Sequence, residues 1–189
     1  MLAAGAIERP VAFANNDRPG IMTAGAVRAY LNRWGVSPGQ QVAVFGNNDD
    51  AHRTARDLAA AGVHVAALID SREGVTLEGA EFPVLSGAVV CNASGRKQLE
   101  AVTIRTARGE HRIQADCLAV SGGWNPSLHL TCHLGARPKW EEGIAAFVPS
   151  PGAAPGMPVA GAAGRVFGTP GRLASGSYTR LERPPSDRR

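Results

Sequence analysis

Residues 45–52 read Phe-Gly-Asn-Asn-Asp-Asp-Ala-His, and their reading decides the fold. Just before them, Val42 to Phe45 is a continuous apolar run, the pattern of a strand buried on both faces of a parallel sheet. Just after, a helix is predicted from about Asp49 to Ala61, with His52, Ala55, Leu58 and Ala59 inward and Arg53, Arg56 and Asp57 outward. Gly62 ends it. The segment "VHVAALID" is then a second buried strand closing on Asp70. A strand, a helix and a strand within roughly thirty residues form the crossover unit of a dinucleotide-binding fold.

The turn itself departs from that fold's usual chemistry. A Rossmann fingerprint needs one glycine for the tight turn, a second so that pyrophosphate can approach the backbone, and a third small residue for helix packing. Gly46 and Ala51 supply the first and third, but Asn48 stands at the second. Asn48 is a good helix N-cap, and Asp49 and Asp50 complement the positive end of the helix dipole. The anion site is therefore expected to be filled by the chain's own carboxylates. Asp70 lies roughly where a ribose-binding acid belongs, but without a phosphate site that position alone does not specify a nucleotide.

Working outward, "NNDRPG" from Asn15 is turn chemistry, with Pro19 and Gly20 placed as a type II turn favours. Apolar residues from Ile21 to Trp34 recur at helical spacing and Gly35 follows as a cap. Beyond Asp70 the pattern alternates, which predicts antiparallel strands at about 83–92, 99–107 and 111–115, then a buried strand at 117–120 and a helix start at "NPS". A Pro/Gly/Ala loop runs from Pro149 to Gly156, and "MPVAGAAG" reads as one more short strand ending in a glycine turn. The remainder, 169–189, has no sustained period and is expected to be disordered.

Composition narrows the function. The formal charge of +4 owes much to Arg172, Arg180, Arg183, Arg188 and Arg189 near the end of the chain, beside prolines and not interleaved with aromatic residues, so no nucleic-acid partner is expected. Three widely spaced cysteines fit a reduced cytoplasmic protein, and no run is long enough to span a membrane. His129, Cys132 and His133 in "HLTCH" share a helical face but lack a fourth ligand nearby. Trp124, after two glycines, suits either a ligand contact or a packed hinge. No carboxylate pair, serine elbow or reactive-cysteine setting is present, so no catalytic residue and no metal site are assigned.

Taken in order, "LAAGAIERP", "NNDRPGIM", "VFGNNDDAHRTA", "SGGWNPSLHL" and "PVAGAAG" resemble the alpha subunits of heterotetrameric sarcosine oxidases, from residue 1 to about 168. The "NNDRPG" and "NND" segments are the more specific ones. "AAGA" and "GWNP" are shared with the alpha-type subunits of opine oxidases and hydrogen cyanide synthases.

The resemblance implies an α/β architecture of the disulfide-reductase flavoprotein type, here a fragment: a degenerate Rossmann-like inserted domain flanked by a partial dinucleotide-binding domain. Residues 1–35 would be part of the outer domain and a linker helix, 36–120 the inserted domain, and 121–168 the return to the outer domain. It further implies NAD in the outer domain of the complete protein, FAD and the substrate site on a separate beta subunit, and FMN between the two subunits. The reaction implied is oxidative demethylation of sarcosine to glycine with formation of hydrogen peroxide. Cofactor contacts implied on this chain are Ala4, Gly5 and Ala6, then Gly161 and Ala162, with Phe167 and Thr169 at a following helix start. The amino-terminal glycine loop and the folate-binding region of the family are not found in this sequence, so little NAD affinity is expected of the chain itself. Two alternatives remain. One is a subunit piece of a related opine or amine dehydrogenase; the other is a non-catalytic assembly module docking on a flavin-bearing partner.

Overall fold

The structure is a computed structural model, and it describes residues 1–168 together with Gly171, Ala174 and Ser175. In chain order the elements are β1 (Ala6–Glu8), β2 (Ile21–Thr23), α1 (Ala24–Trp34), β3 (Gln41–Gly46), α2 (Asp49–Ala60), β4 (His64–Asp70), β5 (Val84–Ser86), β6 (Val89–Ser94), β7 (Ala101–Thr106), β8 (Gly109–Gln114), β9 (Cys117–Ser121), β10 (Trp124–Pro126), α3 (His129–Cys132), β11 (Lys139–Glu141) and β12 (Ala146–Val148). The residues divide into two compact units, one of Glu8–Gly123 and one of Met1–Ile7 with the residues from Trp124 onward.

The larger unit is built on a parallel sheet in the order β2-β9-β3-β4-β5. Its central strands are buried on both faces because successive side chains alternate between two cores. Val42 and Val44 pack with Ala51, Ala55 and Leu58 of α2 and with Ala24 and Val27 of α1. Ala43 and Phe45 point the other way, against Val90, Ala93, Val102 and Ile104 of an antiparallel sheet ordered β6-β7-β8. The continuous apolar run at Val42–Phe45 is thus a two-faced strand, as its composition requires.

Three local expectations are corrected. Ile21–Thr23 is a strand paired with Leu118–Val120, not the first turn of a helix; its apolar residues satisfy either period over so short a run. The single strand expected at 83–92 is two: β5 joins the parallel sheet beside β4, while β6 joins the antiparallel sheet, with Gly87 at φ 63° turning the chain between them. Ala59 is exposed, whereas Thr54 is fully buried in its place. Helix α1 packs inside this unit, where Val27 is fully buried. Gly20, at φ 101°, holds the expected turn, with the Ile21 amide donating to the Arg18 carbonyl at 3.2 Å.

In the smaller unit β1 pairs with β10 and β11 with β12. The helix expected from "NPS" is shortened to the four residues of α3, because Trp124–Pro126 is taken into β10. Leu2 forms a parallel bridge with Val159, with Leu2 N–H donating to the Pro158 carbonyl and Ala160 N–H to the Leu2 carbonyl, each at 2.8 Å. The expected strand at "MPVAGAAG" is this bridge, followed by a 3-10 turn at Gly161–Gly164. Thr169 and the tail expected to be disordered, 169–189, lie outside the described residues except for Gly171, Ala174 and Ser175.

Candidate functional site

In open α/β sheets ligands bind outside the carboxyl ends of the strands. Here that edge is formed by Gly46 of β3, Asp70 of β4 and Ser121 of β9, with α2 starting directly above. A nucleotide's pyrophosphate needs unoccupied N–H groups in the first turn of such a helix. Here the Asp50 and Ala51 amides are already taken, by the Asn48 side chain and the Asn48 carbonyl. Asn48 Oδ1 accepts from the Asp50 amide at 3.0 Å, and the Asn47 amide donates to the Ser121 carbonyl at 3.3 Å. Asn48 Nδ2 donates to that same carbonyl at 3.0 Å, and the Ser121 hydroxyl donates to Asn48 Oδ1 at 3.2 Å. The cap therefore ties the helix start to the neighbouring strand β9.

Gly46 is glycine for packing. A Cβ there would lie 2.5 Å from Ala51 Cβ and 2.9 Å from the Ser121 carbonyl. The first and third small residues of the fingerprint are thus used against each other, as the sequence predicted for Ala51.

Asp70, the acid at the ribose position, is fully buried and saturated. Arg72 grips it with Nε at 3.1 Å from Oδ1 and Nη2 at 2.8 Å from Oδ2, and the Arg72 amide donates to Oδ1 at 2.9 Å. His52 Nε2 lies 2.6 Å from Oδ2. The third guanidinium nitrogen of Arg72 reaches Asp49 at 2.9 Å. Burial pushes the Asp70 carboxyl up, but the hydrogen bonds from the Arg72 side chain and amide and from His52 outweigh it and hold it below its usual 3.8. The bond to Asp70 in turn raises the Arg72 guanidinium. The cation that a nucleotide site would direct at phosphate is spent on two carboxylates of the same chain.

The sequence reading found Asn48, Asp49, Asp50 and Asp70 but missed Arg72, whose signal is its place two residues after a strand-ending acid. It also missed Glu8. Its Oε2 accepts from the Gly25 amide, at the start of α1, at 2.7 Å. Burial raises the Glu8 carboxyl above its usual 4.5, against the Gly25 amide and the Ser121 and Thr23 hydroxyls, with Asp50 adding to the rise. Both helix starts of this unit thus carry an acid from the chain itself.

In the smaller unit, the parallel bridge between Leu2 and Val159 sends Ala4–Ala6 and Gly161–Ala162 off the same ends of adjacent segments. Gly5 is at φ 75° with open space where a Cβ would be, and its carbonyl accepts from the Ser127 amide at 3.0 Å. Gly161 is at φ 65° and Ala162 is buried, while Phe167 is half-buried. A cavity of about 630 Å³ lies beside the turn, lined by Lys139, the Pro149–Val159 loop, and the ion pair of Arg165 with Glu141. His129, Cys132 and His133 do not converge: His133 Nδ1 is 2.7 Å from the Leu130 carbonyl, and among the described residues no group of three or more His, Cys, Asp or Glu side chains could hold a metal.

No family model matches the chain. The sarcosine oxidase alpha subunit of Rhizobium meliloti strain 1021 is 44% identical over 94% of the chain, and that of Corynebacterium sp. strain U-96 is 41% identical over 95%. This chain is homologous to sarcosine oxidase alpha subunits. It spans about a fifth of their length, 18% and 20%. One of the opine oxidase subunits of Rhizobium meliloti strain 1021 is 29% identical over 97% of the chain, which spans 49% of it. Solved structures agree on the fold: L-proline dehydrogenase from P. horikoshii (TM-score 0.64, 24% identity, 86% of this chain and 29% of that one) and T. acidophilum thioredoxin reductase (TM-score 0.65, 16% identity, 92% and 59%). The chain therefore has the Rossmann-like fold of flavin- and pyridine-nucleotide-dependent oxidoreductases, and its relatives are oxidoreductase subunits. The resemblance to sarcosine oxidase alpha subunits stated from the sequence holds.

Proposed function

We propose that the Glu8–Gly123 unit is the non-catalytic scaffold within a sarcosine oxidase alpha subunit: a Rossmann-like domain whose nucleotide cradle is filled by its own side chains. The observation that carries this reading is the network of Asp70, Arg72, His52 and Asp49, together with the Asn48 cap, which leaves neither a phosphate-binding amide turn nor an acid available to a ribose. On this reading the parent protein oxidatively demethylates sarcosine to glycine with release of hydrogen peroxide, in the cytoplasm. Substrate and FAD belong to a partner beta subunit, with FMN between the two. NAD belongs to the smaller unit's side, where Ala4, Gly5 and Ala6, Gly161 and Ala162, Phe167 and Thr169 supply part of its backbone contacts. Small residues at strand ends suit that role because they let a cofactor approach the main chain. The likeness to an opine oxidase subunit supports a second reading with the same scaffold and a different amine substrate.

Calorimetric titration of the chain with NAD and with FAD tests the scaffold reading. The expected result is no saturable heat at micromolar ligand. Saturable micromolar binding abolished by Asn48→Asp, which sets a further acid in the helix start, would locate a working nucleotide site in the larger unit and overturn the reading.

A further inference from the structure

A second cleft opens in the larger unit, on the face of the parallel sheet away from α2. It has a volume of about 340 Å³ and lies over the carboxyl ends of β3 and β4. Its walls are apolar, with Val11, Phe13, Phe45 and Val90 among them, and the Phe13 and Phe45 rings meet edge to face at 6.3 Å. Polar groups gather at its rim: Asn47, Ser71, Cys91 and Arg105.

The rim has capacity to spare. The Asn47 amide accepts from Asn48 Nδ2 at 3.0 Å through its oxygen, while among the described residues its nitrogen and the Ser71 hydroxyl have no hydrogen-bond partner. The Arg105 side chain is 62% exposed, and its Nε and Nη2 approach Glu110 only to 3.4 Å, long for a charge-assisted pair. An apolar pocket of this size with a few convergent donors and one weakly engaged guanidinium is suited to a flat apolar molecule bearing a single carboxylate.

We propose that this cleft binds a small aromatic carboxylate, its ring laid against the wall of Phe13, Phe45 and Val90 and its carboxylate drawn by Arg105 away from Glu110, with Asn47 and Ser71 as further donors. The cleft opens on the face of the sheet away from α2 and shares only the Gly46–Asn47 turn with the nucleotide cradle.

Cys91 at the rim is the reporter. Its thiol is half-buried and donates to the Thr103 carbonyl at 3.3 Å, whereas Cys117 is buried. In a Cys132→Ser background, the rate of Cys91 modification by a chromogenic disulfide is read against millimolar benzoate, and against benzyl alcohol as the uncharged control. Benzoate is expected to slow the reaction severalfold and saturably, with benzyl alcohol much weaker. Arg105→Gln is expected to raise the benzoate concentration for half-protection about tenfold, the loss of one charge-assisted pair. Phe13→Ala is expected to weaken both probes. No protection by benzoate overturns the proposal. Equal protection by benzyl alcohol, or protection unchanged in Arg105→Gln, overturns recognition of the carboxylate. Amide shifts of Asn47, Ser71 and Val90 on adding benzoate check the location without chemistry at the thiol.

Discussion

The cradle is closed by Arg72 together with the Asn48 cap. Arg72, itself partly exposed, answers the buried charge of Asp70, and without its side chain only His52 and the backbone amide of residue 72 remain to compensate that charge. Arg72→Ala is therefore expected to cost about 3 kcal/mol in chemical denaturation at neutral pH. Asp70, held below 3.8, contributes stability above that pH and loses it as pH falls through its lowered value. Without Arg72 the burial is unopposed by its strongest hydrogen bonds, so acid unfolding of the variant is expected to begin at higher pH. Glu8 works with the opposite sign. Its carboxyl is raised above 4.5, so its contribution is full below 4.5 and is lost as pH climbs through the raised value. Glu8→Gln is expected to flatten the stability profile over that window and to be at least as stable as the parent chain at neutral pH. Denaturation midpoints at the two ends of the window check this. A variant as pH-dependent as the parent would remove Glu8 from the explanation.

At the scale of elements, α2 and its two flanking strands were legible because three independent signals coincide: a two-faced apolar strand, an N-cap with acids behind it, and a second apolar strand closing on an acid. The cap was legible in Asn48, but it is the Asn48 carboxamide and not the expected carboxylates that accepts from the helix start, while Asp49 pairs with Arg72 and Asp50 with Arg53. What the sequence hid were effects of tertiary pairing. Ile21–Thr23 becomes strand only because Leu118–Val120 lies beside it, and β5 parts from β6 only because β4 offers a parallel edge. Arg72 and Glu8 join the site from outside any motif. The packing role of Gly46 gives a direct check. Gly46→Ala places a methyl 2.5 Å from Ala51 Cβ, and is expected to destabilise by about 1–3 kcal/mol as an overpacked contact. Asn48→Ala is expected to cost about 1 kcal/mol as a lost cap. Thermal denaturation of both variants separates steric from capping roles, because an Ala51→Gly change should recover part of the first loss and none of the second.

At the scale of the molecule, the larger of two compact units keeps a nucleotide-type fold whose helix start and strand-end acid are held by its own side chains. Among the described residues no helix is long and apolar enough to cross a membrane. The chain covers about a fifth of its alpha-subunit relatives, so the chemistry of the parent reaction is proposed for the assembly and the larger unit is assigned scaffolding. The most direct measurement is a nitrogen–proton correlation spectrum of the isotope-labelled chain titrated with NAD. The expected result is that the amides of Gly46 to Ala51 and the Arg72 side-chain signals stay where they are while NAD rises to millimolar concentration. Saturable shifts confined to those signals, with Arg72 released from Asp70, would contradict the account at its centre.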